Sequence, residues 1–169
     1  HTWQPPTGVV KAVSQADLIG LNGLHLETLF QKLVESSKRR DAQVLLLGDS
    51  TITAQEYAFD FSFPKEKGDP NPHLWLNVAY AMRYVDLVKS KLVEMDPDNE
   101  SFYLDNASRY LGKLILLDRG IQAAVPTIPE GNRRLLTYHD SWAYFARRYG
   151  MTVIGAIQPS DFSEPSPKE

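Results

Sequence analysis

The sequence contains no cysteine, which excludes disulfides and thiolate metal ligands, so any metal must be held by nitrogen and oxygen. It also lacks an apolar stretch approaching the roughly 18 consecutive residues that a membrane-crossing helix needs. An excess of either charge is small: 18 basic residues against 21 acidic leave a net charge of -3. Without a basic run or an arginine stripe, a nucleic-acid partner is not expected. Internal repeats and low-complexity tracts are missing as well. Histidine occurs four times, at His1, His25, His73 and His139, with no H-E-x-x-H, no H-x-H and no pair at helical spacing. Local spacing therefore yields no metal or hydrolase motif.

What is present fits one α/β domain. At 169 residues and 43% hydrophobic content, a single core is expected. Residues 9 to 16 read as a short helix and "DLIGLNG" as a buried strand closed by glycine. A helix with Leu26, Leu29, Phe30 and Leu33 at helical spacing follows, and "AQVLLLGD" has the continuous apolar run of a parallel strand covered on both faces. Residues 51 to 72 read as an extended loop ending at His73. Two long helices come next. The first runs from Leu74 to Met95 with Val78, Met82, Val85 and Leu92 on its apolar face, and the second carries Tyr103, Ala107, Tyr110, Leu114 and Leu117. "RRLLTY" reads as a strand, "DSWAYFARRYG" as a helix with Trp142, Phe145 and Tyr149 inward, and "MTVIGAI" as the last strand. This alternation predicts a layered, mainly parallel sheet flanked by helices.

Histidine placement follows this map. Ligands of open α/β sheets collect beyond the carboxyl ends of strands. His139 directly follows one such end and His25 lies just beyond another, while His1 and His73 each introduce a helix after a loop. Imidazole suits zinc, copper, nickel and iron. Taken singly, each histidine is better read as a surface or satisfied loop residue than as a ligand.

A resemblance gives the set a meaning. "HTWQPPTGVVKAVSQADLIGLNGLHLE" resembles the opening motif of the metal-specific substrate-binding proteins of ABC importers, in which "PHxYxPTPxDV" precedes "ADLVxxNGLxLE". "PHLWLN" is similar to that family's "DPHVWLD", and "YHDSWAYFARRYGMTVIGAIQPSDFSEPSP" to its "SHDAFGYFARRYGLxVxGxxxxSxxxEPSP". The motifs stand in the family's order over essentially the whole chain.

The resemblance implies one lobe of a two-lobed periplasmic metal receptor. Residues 1 to 162 would be the amino-terminal metal-binding lobe, lacking its first strand, and 163 to 169 the start of a long connecting helix. The carboxy-terminal lobe would lie outside this chain, which the ending "EPSPKE" fits. Carried over by motif, His1, His73 and His139 are the implied metal ligands, with a fourth, acidic ligand in the other lobe. Histidine at position 139 tilts the ion to zinc, because a three-imidazole, one-carboxylate set is borderline-soft and near tetrahedral. Manganese is the alternative. The implied partner is a membrane permease, the implied location the periplasm or, through a lipid anchor, the outer face of the cytoplasmic membrane, and a monomer is expected.

Three further residues are placed near the cleft. His25 matches a histidine seen in "NGLHLE" variants, with a structural role or a bond to a ligand; a solvated histidine fits equally. Asn77 replaces the aspartate of "WLD" and is a candidate for a bond behind a ligand, and Gly8 replaces the second proline of "PTP". Asp140 adjoins His139 and is expected to cap a helix starting at Ser141. Trp3, Trp75 and Trp142, each two or three residues after a proposed ligand, form an aromatic wall or simply pack. Acid is expected to release the ion as histidines protonate around and below about pH 6.5. A zinc hydrolase is the rival class, with Glu27 or Asp140 as candidate base, and a surface adhesin the third.

Overall fold

The computed structural model describes residues 6–158. His1 and Trp3, and the expected start of a connecting helix at 163–169, lie outside the described residues. Helix α1 (Thr7–Gln15) leads into strand β1 (Leu18–Leu21), helix α2 (Thr28–Ser37) and strand β2 (Gln43–Leu46). After the loop come α3 (Val78–Met95) and α4 (Glu100–Ala124), then β3 (Arg134–His139), α5 (Ala143–Tyr149) and β4 (Thr152–Gln158). β1 pairs with β2 and β3 with β4, both in parallel, as two two-stranded sheets. A parallel pair needs a crossover, and α2 and α5 supply them. Among the described residues no helix is long and apolar enough to cross a membrane.

Three apolar clusters hold these elements. Val13, Ile19, Leu21 and Val34 join α1, β1 and α2. Val78, Leu114, Val125 and Tyr149, with Met82 and Val85 against them, join α3, α4 and α5. Between lies the cluster that underpins the site: Leu24, Ile52, Ala58, Leu74 and Tyr144. Burying a leucine such as Leu74, which is fully enclosed, contributes about 1.5–3 kcal/mol and fixes the backbone of its neighbour His73.

Several apolar positions fall elsewhere than expected. In α2 the residue at the core is Val34, while Leu29 is 59% exposed. In α4 the buried stripe runs through Ala107, Leu114 and Asp118, leaving Tyr110 and Leu117 exposed. This long helix carries apolar residues on more than one side, so the pattern alone does not choose the inward face. β2 is half-buried at Val44, Leu45 and Leu46 rather than covered on both faces. The long loop holds two short 3-10 turns, Ala54–Glu56 and Lys65–Lys67, and a third, Leu74–Leu76, separates His73 from α3.

Candidate metal centre

His139 is the last residue of β3, at its carboxyl end. His73 is brought to it by the loop that enters α3, and the two Nε2 atoms stand 3.2 Å apart with the rings nearly perpendicular. Two zinc–nitrogen bonds of about 2.0–2.1 Å at a near-tetrahedral angle separate their nitrogens by about 3.3 Å. The pair is thus spaced as two ligands of one ion. Among the described residues no group of three histidines or carboxylates converges to hold a metal, and the candidate centre is described by these two alone. His73 is buried and His139 half-buried.

Burial favours the neutral, metal-competent imidazole. Desolvation, aided by the nearby His139, pulls the His73 pKa down to about 4. Desolvation also lowers that of His139, against the opposing pull of Asp140.

The partner behind His73 is Asn71, which is fully buried. Its Oδ1 accepts from the His73 backbone N–H at 2.9 Å and lies 2.7 Å from His73 Nδ1. Its Nδ2 donates to Asp60 Oδ2 at 2.6 Å and to the carbonyl of Asp140 at 3.1 Å. One carboxamide therefore ties the loop, the His73 segment and the end of β3 together. Asp60 is half-buried, and desolvation, with the Asp140 carboxyl beside it, raises its pKa to about 7.

The turn after β1 supports the same loop from the other side. Asn22 donates through Nδ2 to the Pro72 carbonyl at 3.0 Å and accepts from the Tyr84 hydroxyl at 2.8 Å. Gly23, Leu24 and His25 all have positive φ, at 79°, 50° and 63°. Two carboxylates clamp this left-handed run. Glu27 accepts from the N–H groups of Asn22 and Gly23, and Asp49 from that of Leu24. Tyr144, fully buried in α5, accepts from Ala58 N–H and fastens the loop to the helix that follows His139.

The remaining expected site residues are placed differently. Among the described residues Asn77 bonds neither His73 nor His139; its Oδ1 accepts from Ala79 N–H and caps α3. Asp140 does not cap a helix, since α5 begins at Ala143 with no side-chain cap. Its carboxylate is fully buried and accepts from Ser62 N–H at 2.8 Å. His25 is exposed, 3.8 Å from Asp69. Of the tryptophans, Trp75 lies 5.2 Å from the His73 ring, whereas Trp142 packs on Phe145. Phe63 completes the wall, 6.0 Å from His73. Asn71, Asp60 and Phe63 were not singled out by the sequence. The available signal was Asn71 itself, which replaces the aspartate opening "DPHVWLD" and has the Asn-Pro-x spacing of a side chain that bonds its own backbone two residues on.

Comparison with known proteins identifies the family. The family model described as "ZnuA: Zinc-uptake complex component A periplasmic" matches residues 1–169. The manganese-binding lipoprotein MntA of Halalkalibacterium halodurans is 35% identical over 168 residues, 99% of this chain and 52% of that protein. The iron-binding protein YfeA of Yersinia pestis is 34% identical over 155 residues, 91% of this chain and 47% of its own length. The chain thus spans about half the length of the curated relatives it matches. Among solved structures, the periplasmic zinc binding protein TroA from Treponema pallidum superposes with a TM-score of 0.85 at 29% identity, covering 99% of this chain and 58% of that one. The fold is that of these receptors, and the chain belongs to the zinc-uptake component family of metal-binding substrate-binding proteins of ABC transporters.

Proposed function

We propose that this chain is the amino-terminal, metal-capturing lobe of an extracytoplasmic receptor that takes up a divalent ion, with zinc preferred, and hands it to the permease of an ABC importer. The observation that supports it most is the pair of Nε2 atoms of His73 and His139 at 3.2 Å, on residues that burial keeps neutral. His1 is the proposed third ligand and an acidic residue of a carboxy-terminal lobe the fourth. An ion bound across two lobes would hold them closed, and the closed form is what a permease would recognise. Relatives described as lipoproteins or as periplasmic support a place outside the cytoplasmic membrane.

Imidazole ligands support zinc over manganese, which favours oxygen and a larger coordination number. Manganese is the second reading, favoured by the manganese-binding relative. A hydrolase is disfavoured by its candidate bases. Both oxygens of Glu27 accept from loop N–H groups, and the Asp140 carboxylate is enclosed. Each carboxylate is committed to backbone N–H groups of the loops.

Calorimetry with zinc and with manganese on the full-length protein tests the reading, beside the His139→Ala and His25→Ala variants. Tight one-to-one zinc binding is expected. His139→Ala should lose more than the 10–100-fold or so that removing a partner of a ligand costs, while His25→Ala stays near the parent. Manganese binding more tightly would overturn the choice of ion. A His139→Ala variant that binds as well as its parent would overturn the ligand assignment, and turnover of an ester or phosphoester by the zinc-loaded protein would overturn the receptor reading.

A further inference from the structure

A neutral histidine binds a metal through Nε2 only when its proton sits on Nδ1, and the partner of Nδ1 decides which nitrogen carries it. For His73 that partner is the carboxamide of Asn71. A carboxamide can present either an acceptor or a donor, so its own orientation must be fixed. Here it is. The Asp140 backbone carbonyl can only accept, and it lies 3.1 Å from Asn71 Nδ2. On the same nitrogen, the Asp60 carboxyl supplies a second acceptor at 2.6 Å and is itself held by Phe63 N–H. With the NH2 end so committed, Oδ1 must face His73, where it also accepts from the backbone N–H. Asn71 backbone N–H donates to the Ala58 carbonyl at 2.9 Å, which holds its main chain in place, and the side chain is fully buried.

We propose that Asn71 is a positioning residue of the metal centre: oriented by Asp60 and the Asp140 carbonyl, its Oδ1 keeps the His73 proton on Nδ1 and leaves the Nε2 lone pair aimed at the ion. The arrangement links both ligand segments, because the carbonyl that orients Asn71 belongs to the residue after His139. Displacement of the β3 end is therefore transmitted to the tautomer of His73. The meaning of the tautomer rests on His73 being a ligand, but the tautomer itself does not.

The test is the long-range 1H–15N imidazole spectrum of the metal-free full-length protein above pH 7. His73 is expected as the Nδ1–H form. Asn71→Ala should give a mixed or Nε2–H form and lower zinc affinity about tenfold or more. Asn71→Asp, which keeps an acceptor opposite Nδ1, should retain the Nδ1–H form. An Nε2–H tautomer in the wild type, an unchanged tautomer in Asn71→Ala, or its loss in Asn71→Asp would each overturn the proposal. If Asn71→Ala fails to fold, the wild-type and Asn71→Asp spectra still decide. Should the tautomers behave as expected while His73→Ala binds zinc normally, the metal assignment fails and the positioning of His73 stands.

Discussion

His73 Nε2 and His139 Nε2 meet at 3.2 Å although the residues are 66 positions apart in the chain. A loop entry and a strand end bring them together, and neither imidazole has to be charged to stay there. Without an ion the two nitrogens are within hydrogen-bond distance, one donating and the other accepting according to tautomer, and a bound ion would take both lone pairs instead.

Acid should act later than free histidine would suggest. The His73 pKa is depressed to about 4, below its unfolded value, so the stability it contributes is fully present above about pH 6.5 and is lost as pH falls towards 4. At full loss this is on the order of 3 kcal/mol. An NMR titration should place the His73 midpoint near 4. Unfolding midpoints in urea should fall over the same window. A His73 midpoint at 6.5 would contradict the burial argument.

The left-handed turn is a second point of vulnerability. A Cβ on Gly23 would come within 2.0 Å of Asp49 Oδ2, at a φ of 79° that favours glycine. Gly23→Ala should destabilise the fold by about 1–3 kcal/mol and weaken zinc binding, because the same turn holds the Pro72 carbonyl through Asn22. Thermal unfolding and calorimetry on the one variant check both effects. An unchanged melting temperature would contradict the turn's role.

Asp118 offers a control away from the metal. It accepts from Arg148 Nε at 2.8 Å and from the Tyr149 hydroxyl at 2.7 Å, fastening α4 to α5. Arg148 first, and Tyr149 with it, lowers the Asp118 pKa, so this contribution is present above the ordinary carboxylate range and lost as pH falls through the lowered value. Asp118→Ala leaves a partly buried guanidinium unpaired and should cost about 3 kcal/mol in urea unfolding. Zinc affinity of the folded variant should change less than threefold.

The strand–helix alternation and the strand-end position of His139 are legible because periodicity reports elements within one segment, and the alternation implies parallel strands; the division into two separate two-stranded sheets is not legible. Partners across segments are not legible either. Asn77 is singled out by its place in the "WLD" motif and Asp140 by adjoining His139, yet one caps α3 and the other is buried and accepts from Ser62 N–H. Asn71 reaches Asp60 and the Asp140 carbonyl, 11 and 69 positions away, through a loop that has no period to read. Tyr110 and Leu117 were expected inside α4 because apolar residues line more than one of its sides, and only the packed partner, α3, selects the inward one.

The most direct measurement is a crystal structure of the zinc-loaded full-length protein with the ion located by anomalous scattering. The account predicts zinc within about 2.0–2.1 Å of both His73 Nε2 and His139 Nε2. Zinc held elsewhere, such as between His25 and Asp69, with these two histidines uncoordinated, would contradict it.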